Sequence, residues 1–338
     1  MASSDQKNKM TLKINKNARL AANLFAKPKL IPTRDGYGEG LVIAGKRDKN
    51  VVALCGDLTE STRTQAFAEK FPERFIECGV AEQNMIGVAA GMALSGKVPF
   101  VSTYAVFCPG RNWDQLRVSV CYSKANVKLT GAHSGISVGP DGATHQALED
   151  IAITRCLPNL TVIAPCDYIE TRKATLEAAR HKGPVYLRFG RNETPVITTE
   201  KTPFKIGKAE TFIEGSDATI IGCGPVVYEA MLAAKKLEKE LSVGVINLHT
   251  IKPIDKKAII TAAKRTGALV TIEEHQVNGG MGSAVAEVVA QYYPVPTKII
   301  GMPDSFGESG QPDELLKKYG MKANNIIKAL REVVKLKK

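Results

Sequence analysis

Two of the chain's five histidines, His133 and His145, stand with Asp141 in one glycine-rich stretch, Gly131-Ala-His133-Ser-Gly-Ile-Ser-Val-Gly-Pro-Asp141-Gly-Ala-Thr-His145-Gln146. A loop that merely packs needs no such concentration of imidazole and carboxylate. The spacings of eight and four residues from His133 to Asp141 and His145 match no common zinc pattern, so no metal-ligand set is expected here. Recognition of phosphate and hydroxyl groups suits these side chains better. Arg188-Phe-Gly-Arg191-Asn192 adds two guanidiniums at the end of a strand, a good anion clamp. Glu82 lies among Val80, Ala81, Met85, Ile86, Val88 and Ala89, in a helix that reads as apolar nearly all round and therefore buried. A buried carboxylate is costly unless it is paired. Two readings stay open for it: a first-turn residue complementing the helix dipole, or a carboxyl group poised to share a proton with a ligand. Tyr104 and Phe107, followed by a Pro-Gly turn and Arg111, are either core or a stacking wall for a planar ring. Asp57 and Ser61 sit in Gly56-Asp57-Leu58-Thr59-Glu60-Ser61, which is either a helix cap or a ligand loop.

The elements that must position these residues alternate in type. Val51–Leu54, Val98–Thr103, Val127–Thr130, Leu160–Ile163 and Pro184–Arg188 read as buried strands, separated by helices over 80–95, Trp113–Tyr122 and Tyr168–Arg180. That alternation predicts a mainly parallel, doubly wound α/β sheet with ligand groups at the strand ends. A Thr-, Pro- and Lys-rich linker over 196–204 leads to a second α/β unit at 205–338, and a basic segment over 1–30 precedes the first unit at 31–195. The second unit alternates strands at Ala218–Ile221, Val243–Leu248, Leu269–Ile272 and Lys298–Ile300 with helices over Val226–Glu240, Asp255–Arg265 and Gly282–Gln291. Gly279-Gly-Met-Gly282 opens the last helix but lacks the strand and acid context of a dinucleotide site. The first residues, Asp5 to Ala26, show only a weak helical period.

Composition is that of an ordinary globular chain: 338 residues, 44% hydrophobic, 24% charged. The net charge of +12 is concentrated at the ends. Seven Lys/Arg against Asp5 make the first 30 residues +6, and eight against Glu332 make 317–338 +7, leaving the body at −1. No nucleic-acid partner is expected from such a distribution, and both termini read as solvated. No apolar run reaches the roughly 18 residues of a membrane span, and no signal segment opens the chain, so no membrane partner and a cytoplasmic location are expected. Seven scattered cysteines without a Cys-x-x-Cys pair argue against structural zinc and a disulfide framework.

Taken in order, Gly56-Asp57-Leu58-Thr59, Phe75-Ile-Glu-Cys-Gly-Val-Ala-Glu82-Gln-Asn84, Gly139-Pro-Asp141-Gly-Ala-Thr-His145-Gln146 and Arg188-Phe-Gly-Arg191-Asn192 resemble the transketolase family of thiamine diphosphate enzymes over about 30–335. The resemblance implies a pyrimidine-binding domain followed by the family's C-terminal domain. It implies that Glu82 hydrogen-bonds the pyrimidine nitrogen N1′, that Tyr104 and Phe107 line the pyrimidine pocket with Arg111 at its edge, and that Asp57 lies near the cofactor or the donor's hydroxyls. It also implies that Arg34, Ser61, His133 and Arg191 surround a sugar phosphate, with Asp141 and His145 on the hydroxyls near the reacting carbon.

The family holds the diphosphate and its Mg2+ or Ca2+ through a Gly-Asp-Gly followed by an Asn, and no Gly-Asp-Gly occurs here. The expected protein is thus the C-terminal subunit of a split transketolase, inactive alone. It would pair with an N-terminal subunit in an α2β2 heterotetramer and transfer a two-carbon ketol unit from a ketose phosphate to an aldose phosphate. Rival readings are 1-deoxyxylulose-5-phosphate synthase, which typically has Arg at the place of His133, and the beta subunit of a 2-oxoacid dehydrogenase, which usually lacks Asp-Gly-Ala-Thr-His-Gln. A non-catalytic assembly module would have no reason to keep Glu82, Asp141, His145 and Arg191 together.

Overall fold

Val51–Cys55 carries no charge and is buried at every position, the signature of a strand covered by helices on both faces. In the computed structural model, which describes residues 12–337, that strand lies within a seven-stranded sheet. The order is Thr250–Lys252, Thr161–Ile163, Val185–Arg188, Lys128–Ala132, Val98–Tyr104, Val51–Cys55, Phe75–Glu77. The last six strands in that order run parallel, so their carboxyl ends share one edge. The first strand in that order comes from the second half of the chain and adds antiparallel to Thr161–Ile163.

The second sheet orders Lys13–Ile14, Glu210–Glu214, Val243–Asn247, Ala218–Gly222, Leu269–Gln276, Thr297–Met302. Its last four strands are parallel and its first two pairings antiparallel. The opening segment therefore differs from its helical reading: Lys13 pairs with Glu214, Asn15 caps a short 3-10 turn over Lys16–Ala18, and Ala18 and Leu24 are buried. A two-residue strand is too short to leave a period. The part of that segment before Leu12 lies outside the described residues. The basic C-terminus is likewise not simply solvated, because the Ala323–Lys335 helix buries Ile326, Ala329, Leu330 and Val333 at helical spacing.

The Glu82–Leu94 helix also departs from expectation. Met85, Ile86, Ala89 and Ala90 are buried, yet Gly87, Val88 and Gly91 face outward, and flanking Val80 and Leu94 are each 69% exposed. Exposed Val118 and Tyr122, on the Leu116–Tyr122 helical segment that packs beside it, extend this apolar surface. Between the two sheets, Val196 and Ile197 are buried, and Asp167 accepts from Ile197 N (2.8 Å), Thr198 N (2.6 Å) and Thr198 Oγ1 (2.7 Å). Among the described residues no helix is long and apolar enough to cross a membrane.

The Thr33–Arg47 helix, rich in glycine and unread in the sequence, lies against Tyr168–Arg180 at very short range. A Cβ on Gly36 would stand 2.1 Å from the Tyr168 carbonyl oxygen, which is backbone and cannot rotate away. Gly36→Ala should therefore destabilise the chain by at least the overpacking cost of about 1–3 kcal/mol, read as a lower thermal midpoint. An unchanged midpoint would show that the two helices move apart freely.

Candidate functional site

The expected site residues collect along the carboxyl edge of the first sheet. Asp57 follows the end of Val51–Cys55, Glu82 follows Phe75–Glu77, Phe107 and Arg111 follow Val98–Tyr104, His133 follows Lys128–Ala132, and Arg191 follows Val185–Arg188. An aromatic cluster joins them. Tyr104 stacks on His133 at 4.1 Å between ring centroids and lies 5.8 Å from Phe107, while His145 meets both Phe107 and Tyr104 edge-on at 5.5 and 6.2 Å.

On one side of this cluster the surface is cationic. Arg34 donates through Nη1 to the Ser61 carbonyl at 3.1 Å, and its buried Nε has no partner. Burial, with Arg63 and Arg191 nearby, lowers its proton affinity. His133 is buried with Nδ1 unpartnered, and burial, reinforced by Arg34, Arg191 and Arg63, pushes its pKa down to about 3. It is thus neutral near pH 7, and the stack on Tyr104 fixes its ring. Arg191 donates to Asp141 at 3.0 Å, which brings the glycine-rich loop onto the same pocket. Thr144 Oγ1 lies 2.9 Å from His145 Nδ1. Three guanidiniums, two of them paired with Asp35 and Asp141, and a neutral imidazole thus stand close together, a set of groups suited to an oxyanion.

On the other side sits Glu82, the first residue of its helix and nearly buried, accepting from Arg111 Nη1 at 3.0 Å. Arg111 lies over the Phe107 ring at 4.0 Å from its centroid. Asp57 has a positive φ of 59°, and its loop is held by Glu77, whose Oε1 accepts from Asp57 N (2.7 Å) and Gly79 N (2.9 Å) and whose Oε2 accepts from Thr59 Oγ1 (3.0 Å).

Arg188 does not belong to the clamp. It is buried, donates to Asp150 Oδ2 at 2.8 Å and to the Ala147 and Glu274 carbonyls, and so ties the first domain to the second. The Gly279–Gly282 turn is also closed to phosphates, because Glu273 already accepts from Met281 N and Gly282 N at 2.7 Å each. Sequence reasoning missed Arg63 and Glu77. Arg63 adopts φ 64° in a loop without motif, its Nε on Asp35 at 2.6 Å, and nothing local announces that its charge is felt by His133. Among the described residues no group of three or more His, Cys, Asp or Glu is arranged to hold a metal.

Comparison with known proteins settles the family. The family model described as "Transketolase, pyrimidine binding domain" matches residues 29–196, and "Transketolase, C-terminal domain" matches residues 207–326. A putative transketolase C-terminal section of Methanocaldococcus jannaschii is 47% identical over 307 residues, covering 89% of this chain and 96% of that protein. The chain belongs to the transketolase family. A 6-deoxy-6-sulfo-D-fructose transketolase subunit of a Clostridium species is 41% identical over 90% of this transketolase chain and 95% of its own length. A solved structure described as a split gene transketolase, inactive beta4 tetramer, superposes with a TM-score of 0.84 at 43% identity, covering 91% of this chain and 99% of that one. Membership in the transketolase family implies dependence on thiamine diphosphate.

The neutral state of His133 in this transketolase chain has a measurable consequence. Its folded pKa lies below the unfolded value of about 6.5, so the unfolded chain binds the extra proton, and stability contributed by the neutral ring falls as pH drops below 6.5 toward 3. His133→Asn, which keeps a side chain tolerant of the φ of 54°, should lose less stability than the wild type between pH 6.5 and 4 in denaturant titrations. Parallel acid slopes would mean that His133 protonates as readily folded as unfolded.

Proposed function

We propose that this chain is the subunit of a two-chain transketolase that presents the pyrimidine-binding wall and the sugar-phosphate pocket, and that the assembled enzyme moves a two-carbon ketol unit from a ketose phosphate to an aldose phosphate. The observation that carries the reading is the direct contact between the two halves of the site. Through Tyr104, the Phe107 wall beside Glu82 is continuous with the cationic pocket of Arg34, Arg63, His133 and Arg191.

The residues fit the implied cofactor. A nearly buried carboxylate beside an aromatic face already accepts an N–H from a flat cation, which is the shape and polarity of an aminopyrimidine ring. Bound thiamine diphosphate supplies the carbon chemistry itself. Glu82 then holds a proton at the pyrimidine N1′ nitrogen, and Phe107 and Tyr104 fix the ring plane. Asp57 lies near the cofactor or the donor's hydroxyls. His145 and Asp141 orient the hydroxyls of the sugar next to the reacting carbon, with His145 placed to move a proton at the substrate oxygen. Arg34, Ser61, His133 and Arg191 bind the phosphate, His133 as a neutral hydrogen-bonding group and the arginines as charges.

The chain carries no Gly-Asp-Gly sequence, so the diphosphate and its divalent metal fall to an N-terminal partner subunit. The uncovered apolar face of the Glu82–Leu94 helix starts at the site, and it is where that partner docks, within an α2β2 assembly closed by two-fold symmetry. Purified alone, the chain should bind thiamine diphosphate weakly and turn over no sugar, and adding the partner should restore both. Ketol transfer by the isolated chain would refute the pairing. In the assembled enzyme Arg191→Ala should raise KM about 10- to 100-fold for a phosphorylated aldose and far less for its unphosphorylated counterpart, since only the former loses a charged contact. Equal losses would make Arg191 structural, and a preference for pyruvate as donor would move the assignment to another thiamine enzyme.

A further inference from the structure

Arg111 does more than border the pocket. Its guanidinium sits over Phe107 with Cζ 4.0 Å from the ring centroid, and its Nη1 donates to Glu82 Oε1 at 3.0 Å. Those are the two contacts that the pyrimidine ring makes under the reading above: a face on Phe107 and a nitrogen toward Glu82. A guanidinium is planar and delocalised with N–H groups along its edge, so it meets the same aromatic face and the same carboxylate. One slot cannot hold both groups.

We propose that Arg111 is a displaceable plug that fills the pyrimidine slot of the cofactor-free subunit and must leave it when thiamine diphosphate binds. The inference rests on the thiamine diphosphate reading. The two partners are unequally free to move: the Glu82 side chain is 5% exposed, and that of Arg111 is 48% exposed. The arginine can swing into solvent, whereas the carboxylate at the helix start cannot. The backbone under Arg111 is tied down independently, since Gln83 Nε2 donates to the Arg111 carbonyl at 3.1 Å, so displacement needs only side-chain rotation.

The plug has a physical purpose in an unassembled subunit. Without a cation beside it, Glu82 would be a nearly buried, uncompensated carboxylate at an apolar helix. Arg111 supplies the compensating charge until the cofactor nitrogen replaces it. Competition of this kind lowers apparent cofactor affinity by the fraction of time the slot is closed.

Calorimetric titration of thiamine diphosphate into the assembled two-chain complex tests the proposal, with the wild type compared against Arg111→Ala and Arg111→Gln. Both variants should bind the cofactor about 3- to 30-fold more tightly than wild type. In thermal melts of the same complexes without cofactor both should be less stable, because Glu82 loses its cation, and saturation with cofactor should remove that difference. Unchanged or weaker affinity in the two variants would overturn the plug and leave Arg111 a bystander or a cofactor ligand. Failure of every complex, wild type included, to bind thiamine diphosphate would overturn the cofactor reading on which the plug depends.

Discussion

A carboxylate removed from water at the start of an apolar helix is the constraint around which this subunit is organised. Glu82 begins a helix whose inner face is Met85, Ile86, Ala89 and Ala90, and its side chain is 5% exposed there. The penalty for such a charge is severe unless a donor meets it with good geometry. Arg111 is the donor in this chain, and its guanidinium carbon lies 4.0 Å from the Phe107 ring centroid. Under the proposed plug, the group that replaces Arg111 meets the same aromatic face and the same carboxylate.

The remainder of the first domain converts that one constraint into a site with two chemistries. Parallel strands deliver the loops of Asp57, Glu82, Phe107, His133 and Arg191 to one edge. Tyr104 then separates the carboxylate side from the cationic side while touching both His133 and Phe107. The second domain fixes the rim. Gln146 Nε2 donates to the carbonyls of Ile136 (3.2 Å) and Glu308 (2.9 Å), Glu274 accepts from Ser137 N at 3.0 Å, and Arg188 reaches the Glu274 carbonyl at 2.7 Å. The glycine-rich loop bearing Asp141 and His145 is thus held from both domains, which gives the C-terminal domain a positioning part in a site to which it lends none of the expected side chains.

Much of this was legible in the sequence, for a physical reason. Polar residues that stand in the wrong surroundings, Glu82 among apolar neighbours and His133, Asp141 and His145 among glycines, announce themselves without any structure. Strands buried on both faces, such as Val51–Cys55, do the same through unbroken apolar runs. Non-local facts left no such trace. Arg188 and Arg191 look alike in one dimension, yet one is an internal tie to Asp150 and the other pairs with Asp141 in the glycine-rich loop. Thr250–Lys252 crosses to the other sheet, the charge of Arg63, a residue of left-handed backbone, is felt by His133, and the glycines of Thr33–Arg47 serve close helix packing that no propensity reveals.

The central claim is that Glu82 is the group that shares a proton with the cofactor's pyrimidine ring. The most direct measurement is the exchange rate of the thiamine C2 proton into deuterated solvent, followed by NMR in the assembled complex with cofactor bound, for wild type and Glu82→Gln. Glutamine keeps the size of the side chain and cannot share the proton, so the rate should fall by about 10²- to 10⁴-fold, the usual scale of a general acid–base contribution, while the complex still assembles and binds cofactor. Exchange at the wild-type rate in that loaded variant would contradict the account.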